Sequence, residues 1–120
     1  MMKRAPHETW VFKVCPAPEW AAAEAAGHYT GSADDHRDGF IHLSTAAQLE
    51  GTLAKHFAGE TDLVLLAVPV SALKALKFEP SRGGALFPHL YGALPVSAAI
   101  WHVPLAIGAD GRHVLPDLPT

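Results

Sequence analysis

Residues 62–68, Asp-Leu-Val-Leu-Leu-Ala-Val, form a nearly unbroken apolar stretch in a chain of 120 residues. A strand covered on one face alternates apolar and polar side chains, so a continuous run of this kind suits a central strand covered on both faces. The surrounding fold must therefore supply two apolar layers. The longest apolar run, Leu63 to Val70, falls far short of a bilayer-crossing span of roughly 20 residues. With 49% hydrophobic and 18% charged residues, the chain is too apolar for disorder. It reads as one globular domain over residues 1–120, with 1–8 and 116–120 as flexible tails.

Around that strand the other elements follow from local patterns. Trp10, Phe12 and Val14 alternate with Val11, Lys13 and Cys15, the period-two signature of an opening strand that puts Lys13 opposite the aromatics. Pro18 near a helix start, Glu19, a run of alanines and Gly27 predict a helix over about 18–26, with Trp20 and Ala23 on its inner face. Residues 27–39 have loop composition, long enough to form a lid or wall of a site. Phe40 to Leu43 reads as a short strand feeding a helix that starts with the Thr45–Gln48 capping-box pattern. Leu49, Leu53 and Phe57 form that helix's buried stripe, and Gly59 supplies its end. A helical turn is expected near Ser71 to Ala75, then a half-buried strand over 76–79. Residues 85–92 contain Pro88, which cannot donate to a ladder, and read as loop or edge. A last strand over 100–106 precedes a hairpin turn at 109–112. The class is α+β: a small mixed or split antiparallel β-sheet with about two flanking helices.

Charge and cysteine content narrow the function classes. Nine Lys+Arg against twelve Asp+Glu give a net charge of −3, leaving no basic excess to attract nucleic acid. The single cysteine, Cys15, forms no internal disulfide and no structural zinc site, which fits a reducing, cytoplasmic setting. No apolar stretch follows the basic residues of the first ten, so no secretory signal is read there. The oligomeric state is left open.

Two constellations carry the chemistry. His42-Leu43-Ser44-Thr45 places an imidazole, two hydroxyls and the free N–H groups of a helix start within one turn, which favours an anion. The alternative is that Thr45 caps its helix and His42 is a satisfied core residue. Glu79, Arg82, His89 and Tyr91 surround Gly83-Gly84 and Pro88. There Arg82 offers a planar fork for phosphate, His89 an acid, base or donor, and Tyr91 a ring for stacking, as do Trp20 and Phe57. The alternative pairs Arg82 with Glu79 at the surface and uses Tyr91 as a core plug. Of eight histidines, His42, His89 and His102 are the trio for a metal, although no spacing matches a zinc motif and no metal ligand is assigned. His7, His28, His36, His56 and His113 read as surface residues, and Asp34 to Asp38 as a solvated acidic loop.

The segments Gly39-Phe40-Ile41-His42-Leu43-Ser44-Thr45 and Phe87-Pro88-His89-Leu90-Tyr91-Gly92, in this order, resemble the small bacterial family called domain of unknown function 952. That family is similar to the ADP-ribosyltransferase superfamily, which implies a split sheet around a cleft for a nucleotide-sized ligand, with NAD as substrate. The resemblance implies that Ser44-Thr45 is a supporting Ser-Thr element, that His42 is the donor to ribose, and that Glu79 is the acid that orients the acceptor; the residues themselves add Ser44 on ribose, Arg82 on phosphate and His89 as acid, base or orienting donor. Lys13 stands where the superfamily has His or Arg. Two other readings stay open: a non-catalytic module for a small anionic ligand, and a histidine-based metal-dependent hydrolase.

Overall fold

The structure, a computed structural model, describes residues 9–119; the expected N-terminal tail 1–8 lies outside them. Eight strands form three small sheets, every pairing antiparallel: β1 (Trp10–Pro16), β4 (Leu63–Pro69) and β8 (Trp101–Leu105) in the order β1-β4-β8; β2 (His28–Tyr29) with β7 (Leu94–Pro95); and β3 (Ile41–His42), β6 (Leu86–Leu90) and β5 (Leu76–Pro80) in the order β3-β6-β5. The helices are α1 (Ala17–Ala26), α2 (Ala33–Asp38) and α3 (Leu49–His56), one more than expected. None of the described helices is long and apolar enough to cross a membrane.

The apolar run occupies the centre of its sheet. Val64, Leu66 and Val68 face a first core containing Trp20, Tyr29, Ile41, Leu43, Leu90 and Leu94. Leu63, Leu65 and Ala67 face a second, with Phe12, Val14, Leu49, Leu53 and Leu105. Alternate residues thus serve opposite layers, which is why the run contains no polar interruption. Leu49 and Leu53 bury the predicted stripe of α3 and Phe57 packs beside them. Gly27 ends α1 at φ +90, its N–H donating to Ala23 O at 2.7 Å. Other residues meet a Cβ clash in that conformation. In the C-terminal segment, Leu115 and Leu118 pack against the second core.

Two local expectations are corrected. Residues 27–39 are not a loop: they contain β2 and the six-residue α2, opened by a Ser32–Asp35 capping box in which Asp35 N–H donates to Ser32 Oγ and Ser32 N–H to Asp35 Oδ2. Residues 86–90 are not an edge but the middle strand of β3-β6-β5, with Pro88 among the most buried side chains. Pro88 is tolerated because its carbonyl accepts from Leu43 N–H at 3.0 Å, so its missing donor falls on the same side, just past the two-residue β3. Only one ladder bond is lost.

One further pairing sets the geometry of the site. Phe12 N–H donates to Ser44 O at 2.8 Å and Ser44 N–H to Phe12 O at 2.9 Å, stitching β1 to the chain that leaves β3. Lys13 is thereby carried next to His42 and α2.

Candidate active site

β3 and β6 pair so that His42 stands directly opposite His89. Residues opposite each other in a ladder project to the same face, and the two imidazole centroids lie 5.7 Å apart in an edge-to-face arrangement. Both line one cavity of about 550 Å³, with Ser44, Gln48, Thr52 and Lys55 from the α3 side and Asp34, Asp35, Arg37 and Asp38 from α2. The cavity is within the range of small-molecule sites.

Each histidine is held through Nδ1 by a carboxylate. His89 Nδ1 lies 2.7 Å from Glu79 Oε1, and the same oxygen accepts from Tyr91 Oη at 2.7 Å. A carboxylate only accepts, so His89 donates from Nδ1, which leaves Nε2 as the ring's other nitrogen. The His89 side chain is only 5% exposed, and Phe40 stacks on it at 4.0 Å between centroids. Among the described residues the only buried side-chain polar atom without a partner is Trp20 Nε1.

His42 rests on a buried ion pair that the sequence did not announce. Its Nδ1 lies 2.6 Å from Asp35 Oδ1, which also accepts its backbone N–H at 3.1 Å. Asp35 Oδ2 takes Lys13 Nζ at 2.9 Å, and Lys13 also donates to His42 O at 2.9 Å. Asp35 is 2% exposed. Burial pushes its carboxyl up, but the His42 hydrogen bond, the Lys13 charge and the Ser32 N–H outweigh that and hold it well below the usual carboxylate range. The outer nitrogen, Nε2, lies 3.0 Å from Asp38 Oδ2 at the rim.

The other expected site residues are placed as follows. Ser44 lines the cavity, and its hydroxyl is 2.8 Å from that of Thr52. Thr45 is buried at the helix start, where its N–H donates to Gln48 Oε1 at 3.0 Å while Gln48 Nε2 donates to Leu86 O. Glu79 and Tyr91 stand behind His89, off the cavity wall. The hydrogen bonds that Glu79 accepts from Tyr91 and His89 keep its carboxyl below the usual range, and the same contact raises the Tyr91 phenol. Arg82 opens the 3-10 turn Arg82–Gly84, whose neighbours Ser81 and Gly83 line the cavity. Trp20 is buried under α1 in the first core, away from the cavity. His102 lies tilted against Trp20, with ring centroids 5.7 Å apart, and approaches Glu24, so it does not join His42 and His89. Among the described residues no group of three His, Cys, Asp or Glu could hold a metal ion, and the three-histidine site is not formed.

Sequence reasoning missed Lys13, Asp35, Asp38 and His56 as lining residues. A signal for Asp35 existed in the Ser32-x-x-Asp35 spacing of a capping box, hidden by the surrounding charges.

The model of the family "Protein of unknown function (DUF952)" matches residues 14–102, a span that carries both histidine strands with Asp35 and Glu79 and begins just after Lys13. The chain belongs to this family. A DUF952 assignment accounts for the His42 and His89 motifs together, since both fall inside the match. The crystal structure of protein CC0527 from Caulobacter crescentus is similar, with 48% identity, a TM-score of 0.84, and coverage of 88% of this chain and 94% of that one. Its solution NMR structure matches at 48% identity and a TM-score of 0.76, covering 86% of this chain and 90% of that one. No curated protein matches the chain.

Proposed function

We propose that this DUF952 protein binds NAD or a related nucleotide in the His42–His89 cleft and catalyses ADP-ribosyl transfer. The observation that carries the reading is the cross-strand pair of imidazoles on one cavity wall, each fixed through Nδ1 by a carboxylate. The substrate class comes from the resemblance of the family to the ADP-ribosyltransferase superfamily. His42 and Ser44 contact ribose, Thr45 supports the helix start, and Arg82 takes phosphate. His89 is the acid–base group, with Glu79 and Tyr91 as positioning residues. In transfer, the ribose C1′–nicotinamide bond breaks with its electron pair leaving on neutral nicotinamide. The acceptor oxygen bonds C1′, and its proton passes to His89 Nε2.

Thermal denaturation of the metal-stripped protein with NAD, ADP-ribose and nicotinamide tests this. A ligand at 100 times its dissociation constant stabilises by about 2.7 kcal/mol. NAD stabilisation that is lost in His42→Ala, together with nicotinamide release that needs His89, is the expected result. Unchanged NAD affinity in a His42→Ala, Arg82→Ala variant, or no response to any nucleotide, overturns it.

A second reading, a non-catalytic module for a small anionic ligand, is favoured by one observation. Glu79, the acid expected to orient an acceptor, stands behind His89 and off the cavity wall. Saturable stabilisation without turnover marks that case.

A further inference from the structure

The two nitrogens of the His42 ring are held very differently. At Nδ1 the partner is Asp35, whose side chain is 2% exposed and tied to the 7%-exposed Lys13. Removing that contact strands buried charge, so this end of the ring is fixed. At Nε2 the partner is Asp38, the last residue of α2, with its side chain 32% exposed. Among the described residues Asp38 is otherwise bound only to its neighbour Arg37, itself 66% exposed, through Nε at 2.8 Å and Nη2 at 3.1 Å. Exposed ion pairs of this sort contribute little and are readily exchanged.

Its outward nitrogen, Nε2, lies 3.0 Å from an acceptor-only, negatively charged group on the cavity rim, with Lys55 lining the same cavity. A neutral hydroxyl replacing that carboxylate exchanges a charge-assisted bond for a weaker one. An oxyanion exchanges like for like.

We propose that the position occupied by Asp38 Oδ2 is an oxyanion subsite of the cleft: a phosphate oxygen of the ligand takes His42 Nε2, and Asp38 swings out to solvent with Arg37. Asp38 is a resident competitor that fills the subsite when no ligand is bound. The inference rests on the nucleotide reading and changes one role in it: His42 Nε2 takes a phosphate oxygen instead of a ribose hydroxyl. It is tested without nicotinamide chemistry, so its failure and the failure of that reading are separable.

The test is calorimetric titration of the full chain with inorganic pyrophosphate at fixed ionic strength. Removing a competitor that holds the subsite about nine-tenths of the time raises apparent affinity about tenfold. Asp38→Ala is therefore expected to bind pyrophosphate about tenfold more tightly than wild type, and adding His42→Gln to that variant abolishes the gain. Glu50→Ala is the control. It removes the same charge from an exposed side chain of α3 that does not line the cavity. It is expected to change affinity by less than about twofold, since exposed charges are screened. Equal gains in Glu50→Ala and Asp38→Ala, a gain that survives His42→Gln, weaker binding in Asp38→Ala, or no pyrophosphate binding by either protein would each overturn the proposal.

Discussion

His42 and His89 face each other across β3 and β6 with their ring centroids 5.7 Å apart, and each is anchored by a carboxylate from a different element: Asp35 of α2 for one, Glu79 of β5 for the other. The anchors differ in kind. Asp35 is buried with a lysine, whereas the Glu79 side chain is 33% exposed and shared with a tyrosine. Perturbing the two should therefore have separable consequences: folding for the first, ring orientation for the second.

Asp35→Asn leaves Lys13 buried without its charge partner, a change that typically costs about 3–5 kcal/mol. Urea unfolding should show a loss of this order, and Lys13→Met in the Asp35→Asn background should recover much of it. Additive losses would sink the coupling.

The same residue sets acid sensitivity. Because the Asp35 carboxyl is depressed in the folded state, its contribution is complete above the ordinary carboxylate value of about 4 and is lost as pH falls from there through the folded value. Wild type should lose stability across that window more steeply than Asp35→Asn. Parallel acid profiles for the two proteins would show that Asp35 is not the linked group.

Glu79 raises the Tyr91 phenol above its ordinary value by accepting its hydrogen bond. The chain's only other tyrosine, Tyr29, is pushed up chiefly by burial and should stay silent until unfolding. Ultraviolet titration should therefore report Tyr91 alone, and Glu79→Gln should move its ionisation down toward about 10. No movement means the contact is not made in solution.

Cys15 is 1% exposed, and burial pushes its thiol up to about 12, against a smaller opposing pull from Lys13. Native protein should resist iodoacetamide and react once unfolded in urea, because the thiolate is the reactive form. Its contribution to stability is complete below the ordinary thiol value of about 8.5 and is lost as pH rises from there. Rapid alkylation of the folded protein would refute the burial.

Gly31 sits at φ +112, and a Cβ there would lie 2.7 Å from Cβ of Asp35. Gly31→Ala combines backbone strain with a clash against the residue that anchors His42, and should cost about 1–3 kcal/mol. Thermal unfolding measures the cost, and NMR of the His42 ring reads the displaced anchor. An unchanged melting temperature would mean that the turn relaxes freely.

Local pattern alone was enough for β1, the central strand β4, the inner face of α1 and the stripe of α3, because each depends on a period that one segment carries by itself. It also marked the His42 and His89 segments as candidate sites. That they line one cavity followed only from the folded chain. Periodicity reports which face a residue occupies but not which strand lies opposite, and the His42–His89 register joins separate strands. Pro88 argued against a central strand until β3 proved too short to need its N–H. Asp35 belongs to a charged stretch that reads as solvated, yet it is buried because the Phe12–Ser44 bridge brings Lys13 beneath it. A buried carboxylate is stable only where a cation and N–H donors meet it. Such a meeting is a property of chain crossings rather than of any one segment.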